Sequence, residues 1–282
     1  MGVARSGSRA AVRAAPGAVV GSSLMSPLES ALLVLAGVGG GLVGSVVGLA
    51  SLVTYPALLA AGLPPVTANV TNTVALVASG VGSAASSRPE LTGQRARLVR
   101  LAPVFAVGGL AGAVLLVTTP GEVFERVVPF LVGGASLLML VQPRLRRLLR
   151  REASPSDAAG DDVRESWPAL VGLFLVAVYG GYFGAAAGVI IPVLLGFVLD
   201  TTIQRLVALK NILLMVSNLV AAALFLALGE VDLLAALPLA VGILVGGWLG
   251  PIVARRLPQG VLRAVIGVAG LGLAVRLWVT AV

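Results

Sequence analysis

Long apolar stretches, broken by short charged punctuation, run the length of this chain. They cover residues 30–62, 65–87, 101–118, 127–142, 167–199, 206–228, 233–254 and 261–280. Most are close to the ~20 residues a helix needs to cross a hydrocarbon layer. The stretches at 30–62 and 167–199 are too long for one span, and each carries a glycine cluster and a proline. A single unbroken helix is not expected there. The pattern predicts a broken helix or a hairpin of two shorter helices, which membranes tolerate only where protein or a water-filled cavity covers the freed backbone.

The two long stretches are also alike. Gly40, Gly41, Gly44 and Gly48 have the spacing GG-x-x-G-x-x-x-G, and Gly180, Gly181, Gly184 and Gly188 repeat it 140 residues later. Pro56 follows the first cluster and Pro192 the second. One such run would be unremarkable in a membrane sequence, but two, each opening a half, point to duplication. The expected organisation is an N-terminal tail (1–28), a first transmembrane repeat (29–142), a polar cytoplasmic linker (143–166) and a second repeat (167–282).

The charged punctuation tests the orientation of the halves. Arg88, Arg95, Arg97 and Arg100 lie in one loop, and Arg144, Arg146, Arg147, Arg150 and Arg151 open the linker. Placing both groups inside puts Glu122 and Glu125 outside, Arg205, Arg255, Arg256 and Arg263 inside, and Glu230 and Asp232 outside. That solution makes each half a broken helix or hairpin followed by three crossings, and the halves inverted repeats. Only the N-terminal Arg5, Arg9 and Arg13 disagree. Eight single spans with parallel halves would leave Arg255, Arg256 and Arg263 outside.

Composition agrees with the pattern. Of 282 residues, 58% are hydrophobic and 11% charged, with a mean hydropathy of +1.03, against about 25% charged in a soluble domain. The fold class is an all-α polytopic membrane protein, multi-pass in the cell membrane, with the bilayer as its surroundings. The net charge of +8 resides in loop arginines that orient the chain, not in a basic face, so nucleic acid is not an expected partner. There is no His and no Cys. No carboxylate lies deep in an apolar run, since Asp200, Glu230 and Asp232 stand at ends. This argues against an intramembrane enzyme, and neither a metal site nor a cofactor is expected.

Polar residues inside the apolar runs carry the remaining signal, because each is costly in hydrocarbon. The first half has Asn69, Thr71, Asn72 and Thr73; the second has Gln204, Arg205, Lys210, Asn211, Ser217 and Asn218. Helical spacing lets each set line one face toward a bundle centre. Lys210 is the only lysine, against 19 arginines, and an anion would neutralise it. The alternative is a lysine snorkelling to the headgroups, with the amides serving interhelical packing. Inverted halves with broken helices place substrate near the midplane, where helix N-termini attract anions.

These residues together resemble the TauE/SafE sulfite exporters, the toluene sulfonate uptake permease group. The resemblance is carried by Gly39-Gly-Gly-Leu-Val-Gly44, Tyr55-Pro-Ala-Leu-Leu-Ala-Ala-Gly-Leu-Pro-Pro65 and Ala68-Asn-Val-Thr-Asn-Thr73 in the first half. Gly180-Gly-Tyr-Phe-Gly-Ala-Ala-Ala-Gly188, Ile190-Ile-Pro-Val-Leu194, Ala208-Leu-Lys-Asn211 and Asn218 carry it in the second. It implies a secondary transporter of sulfite, organosulfonates or related small organic acids. It also implies Thr71, Asn72, Thr73, Lys210 and Asn211 as substrate-path residues, beside Asn69 and Asn218 from their position. A structural or assembly subunit is the competing reading.

Overall fold

The computed structural model describes residues 25–152, 167–185, 187–199, 201–228, 231–254 and 259–281, and their regular structure is entirely helical. The first long apolar stretch is two helices. Ser26 starts α1 (Pro27–Val46): its hydroxyl accepts from the Glu29 N–H at 3.2 Å, and the Glu29 carboxylate accepts from the Ser26 N–H at 2.8 Å. Val47 and Gly48 both donate back to the Val43 carbonyl, at 2.8 and 3.1 Å, with Gly48 at φ +91°. That left-handed turn ends the helix. The chain then reverses into α2 (Ser51–Ala60). A Cβ added at Gly44 would stand 2.6 Å from the Ala50 methyl, and one at Gly40 would stand 2.3 Å from the Thr54 side chain. The two helices form a tight hairpin.

The second long stretch repeats this device. Phe183 and Gly184 donate to the Tyr179 carbonyl at 3.0 and 3.1 Å, Gly184 has φ +78°, and α7 (Trp167–Tyr182) turns back into α8 (Ala187–Val198). Gly180 faces Ala187, and Gly172 faces Leu194. The equivalent turn glycines are therefore Gly48 and Gly184, 136 residues apart, as Pro56 and Pro192 are. The 140-residue register read from the glycine spacing is one helical turn out. Its cause is the near-helical spacing of the glycines, which lets a four-residue slip still set glycine on glycine.

Three long helices follow each hairpin. They are α3 (Pro65–Ser86), α5 (Arg95–Thr118) and α6 (Gly121–Glu152), then α9 (Ile203–Leu228), α10 (Leu233–Ala254) and α11 (Gln259–Ala281), with α4 (Arg88–Leu91) a single turn. α1 packs on α10 as α7 packs on α5; α3 packs on α10 as α9 packs on α5; α3 meets α9 and α6 meets α11. Exchanging the halves returns the same set of pairs. Glycine makes these approaches possible. A Cβ on Gly37 or Gly41 of α1 would lie 2.4 Å from α10 backbone, and one on Gly112 of α5 would lie 2.0 Å from α7 backbone.

Among the described residues four helices, α1, α5, α9 and α10, are long and apolar enough to cross a bilayer. Their outward faces carry Leu35, Val107, Leu219 and Leu237, all exposed, and Phe130 and Leu137 of α6 do the same. This is the surface of a protein whose solvent is lipid. Two boundaries differ from the pattern. α5 begins at Arg95 and takes three loop arginines into its first turns, and α6 continues through the arginine run to Glu152. Arginine is a good helix former, so charge ends the apolar run without ending the helix. Glu230, Arg255, Arg256 and the linker acids lie outside the described residues.

Candidate functional site

The hairpin tips meet. A Cβ on Gly48 would fall 2.3 Å from the Gly188 carbonyl carbon, and one on Gly188 would fall 2.4 Å from the Gly48 carbonyl oxygen. Beside this contact is a cavity of about 40 Å³, room for about three waters. Its walls come from equivalent places in the two halves. Gly44 and Gly48 of the first hairpin answer Gly180 and Gly184 of the second. On the long helices Thr73, Leu76 and Gly80 of α3 answer Asn211, Leu214 and Asn218 of α9, 138 residues on in each case. The register grows by two because α8 has 12 residues where α2 has 10.

Of the polar residues singled out from sequence, Thr73, Asn211 and Asn218 line this cavity. Lys210 lies just behind, 1% exposed, with its ammonium donating to the Gly44 carbonyl at 2.9 Å and the Ser45 carbonyl at 3.4 Å. Asn211 adds a bond to Ser45 at 3.3 Å. These are carbonyls of the last turn of α1, which carry the negative end of its dipole, so a buried cation is well placed there. Asn69 caps the other broken helix from a different position, its amide donating to the carbonyl of Tyr182, the last residue of α7, at 2.9 Å. Each broken helix thus ends on a polar side chain of the other half.

Asn72 and Thr71 stand elsewhere. The Asn72 amide donates to Ser51 at 3.1 Å and its oxygen accepts from Thr54, which fastens α2 to α3. The Thr71 hydroxyl accepts from the Asp232 N–H at 3.1 Å, at the start of α10. Ser51, Ser79, Phe183 and Met215 also line the cavity and were not singled out. Ser79 shares a helix face with Asn72, two turns on, but a lone serine in a glycine-rich helix has little to distinguish it. Three buried side-chain oxygens here have no hydrogen-bond partner among the described residues: Tyr55 Oη, Asn69 Oδ1 and Ser217 Oγ.

Comparison with known proteins fits this architecture. No solved structure matches the chain. A Haemophilus influenzae protein named a probable membrane transporter protein is 27% identical over 71% of this chain and 75% of its own length. The probable membrane transporter protein ORF9 of a Sinorhizobium species is 26% identical over 88% of this chain and 91% of its own. The probable membrane transporter protein YfcA of Escherichia coli K12 is 26% identical over 80% and 81%. The family model described as sulfite exporter TauE/SafE matches residues 33–277, from within α1 to within α11, and the chain belongs to that family of membrane transporters.

Proposed function

We propose that this transporter is a secondary carrier that exports small anions such as sulfite, organosulfonates or related small organic acids across the cell membrane. The anion binds in the cavity between the two repeats. The observation that carries this reading is the meeting of two hairpin tips over a small cavity with a buried cation behind it. Lys210 and Asn211 offset the negative end of α1, while Ala50 and Ser51 bring the first turn of α2 to the cavity wall. What faces the cavity from the first hairpin is then the positive end of a helix, which favours an anion. Thr73, Asn211 and Asn218 are the direct contacts in this reading. Lys210 supplies the field, and Asn69, Thr71 and Asn72 hold the surrounding helices.

The arrangement is that of inverted repeats, with the tips approaching from opposite sides and the central segment cytoplasmic, as the loop charges favour. The cavity would be filled by a single oxyanion of sulfite's size, so passage requires the tips to part. Purified protein in proteoliposomes should release or take up labelled sulfite, taurine-type sulfonates or small carboxylates against protein-free vesicles. Failure of all three classes to move would sink the reading.

A further inference from the structure

The two hairpins end differently, and the difference has the shape of a cation. In the first, the Gly44 and Ser45 carbonyls receive the Lys210 ammonium and the Asn211 amide. The equivalent carbonyls of the second, those of Gly180 and Gly181, receive no donor among the described residues. At the position of α3 that answers Lys210 of α9 stands Asn72, which is turned to α2 instead. Among the described residues the end of α7 is met by the Asn69 amide at Tyr182 and by the turn N–H groups of Phe183 and Gly184 at Tyr179, with no charged group at Gly180 or Gly181, and it is buried beside the cavity, where its partial charge is poorly screened.

Two side-chain oxygens border the same helix end without partners. Asn69 is 0% exposed, and because its nitrogen donates to Tyr182, its Oδ1 is the atom left unpaired. Ser217 is 0% exposed, with an unpaired Oγ placed 3.9 Å from where a Gly180 Cβ would be. Leaving a buried polar atom without a partner is costly, so orphans beside unpaired carbonyls call for a ligand that accepts oxygen donors. That ligand is positive. Among the described residues no cluster of acidic side chains could hold a divalent metal, and neutral carbonyl, amide and hydroxyl oxygens suit a monovalent ion.

We propose that the C-terminal end of α7, with Asn69 and Ser217, binds a sodium ion, which takes in the second hairpin the place the Lys210 ammonium holds in the first. The ion would offset the negative end nearest the cavity and so favour anion binding; this coupling, unlike the site, rests on the transporter reading. Melting of the detergent-purified full chain should be followed while sodium chloride replaces choline chloride at constant ionic strength and pH. A saturable sodium-dependent rise in melting temperature is expected. Ser217→Ala, which removes one oxygen and little volume, should weaken the apparent sodium affinity by about tenfold, the loss of one good ligand, and Asn69→Ala should abolish the response. Asn69→Asp, which restores an oxygen and adds charge, should recover it. Identical melting in sodium and choline, or a full sodium response in Ser217→Ala and Asn69→Ala alike, would overturn the site. A titration of pH in choline distinguishes a proton at the same oxygens, and a response to pH with none to sodium also overturns it. None of these outcomes depends on which anion moves.

Discussion

Gly188→Ala isolates the contact between the hairpin tips. Gly188 has no unusual backbone angle, unlike Gly48 at φ +91°, so the substitution adds a methyl without straining the backbone, and its gain from lost backbone freedom is matched by the control. That methyl would start 2.4 Å from the Gly48 carbonyl oxygen and 2.5 Å from its Cα. Ordinary contact begins at 3.4 Å, and both neighbours are backbone that no rotamer change can move. One tip must therefore retreat by about 1 Å. Overpacking of this kind costs about 1–3 kcal/mol, which for a chain of this size lowers the melting temperature by roughly 2–10 °C. The displaced glycine lines the cavity, so part of the cost falls on the bound state. If that part is about 1–2 kcal/mol, anion flux falls about five- to thirtyfold. The assay is melting in detergent with flux in proteoliposomes, and Gly134→Ala is the control. Gly134 is a helical glycine of α6 with nothing within 4 Å of an added Cβ, and it should gain up to about 1 kcal/mol from lost backbone freedom. Wild-type melting and flux in Gly188→Ala would refute the tip contact.

Two further predictions follow. Lys210→Met keeps the length of the side chain but removes the ammonium from the Gly44 and Ser45 carbonyls. Anion affinity should fall while the protein still expresses, with up to about 2 kcal/mol of helix-end stabilisation lost; unchanged affinity would leave Lys210 a structural cap of α1. Single cysteines placed at Glu122 and Arg256 of this Cys-free chain should label from opposite faces of the membrane, outside and inside respectively. Labelling of both from one face would exclude the inverted arrangement.

The helices were legible from hydropathy because lipid asks every span to be apolar, so apolar length reads directly as helix. The breaks were legible too, since Gly48 and Gly184 puncture stretches too long for one span, although Pro56 and Pro192 stand inside α2 and α8 and not at the breaks. What the pattern could not carry was the register between halves. Glycines that recur every four residues look alike under a one-turn shift, and only the hydrogen bonds onto Val43 and Tyr179 tell the turns apart. The polar cluster was legible as buried, but not its division of labour. Asn69 and Thr73 share a helix face four residues apart, yet one caps α7 and the other lines the cavity. Such roles depend on which helix of the other half stands opposite, and a linear pattern holds no record of that.

The way the hairpins are tied constrains how the cavity can open. α1 packs on α10 and ends on Lys210 of α9, so it is held by the second half. α2 is held by Asn72 of α3, in the first half. The first hairpin thus straddles the two halves of the chain, and its turn at Gly48 is where the two attachments meet. α7 is likewise packed on α5 and bonded to Asn69, both of the first half. Pulling the halves apart as rigid bodies would tear a buried ammonium from its carbonyls, and an uncompensated buried charge costs about 3–5 kcal/mol. Parting the tips breaks no buried charge: it separates the Gly48 and Gly188 backbones and the edge-to-face pair of Tyr55 and Phe183, a pair worth about 0.5–1.5 kcal/mol beyond its burial. Opening by the tips, with the long helices and their caps kept in place, is therefore the motion this structure makes cheapest.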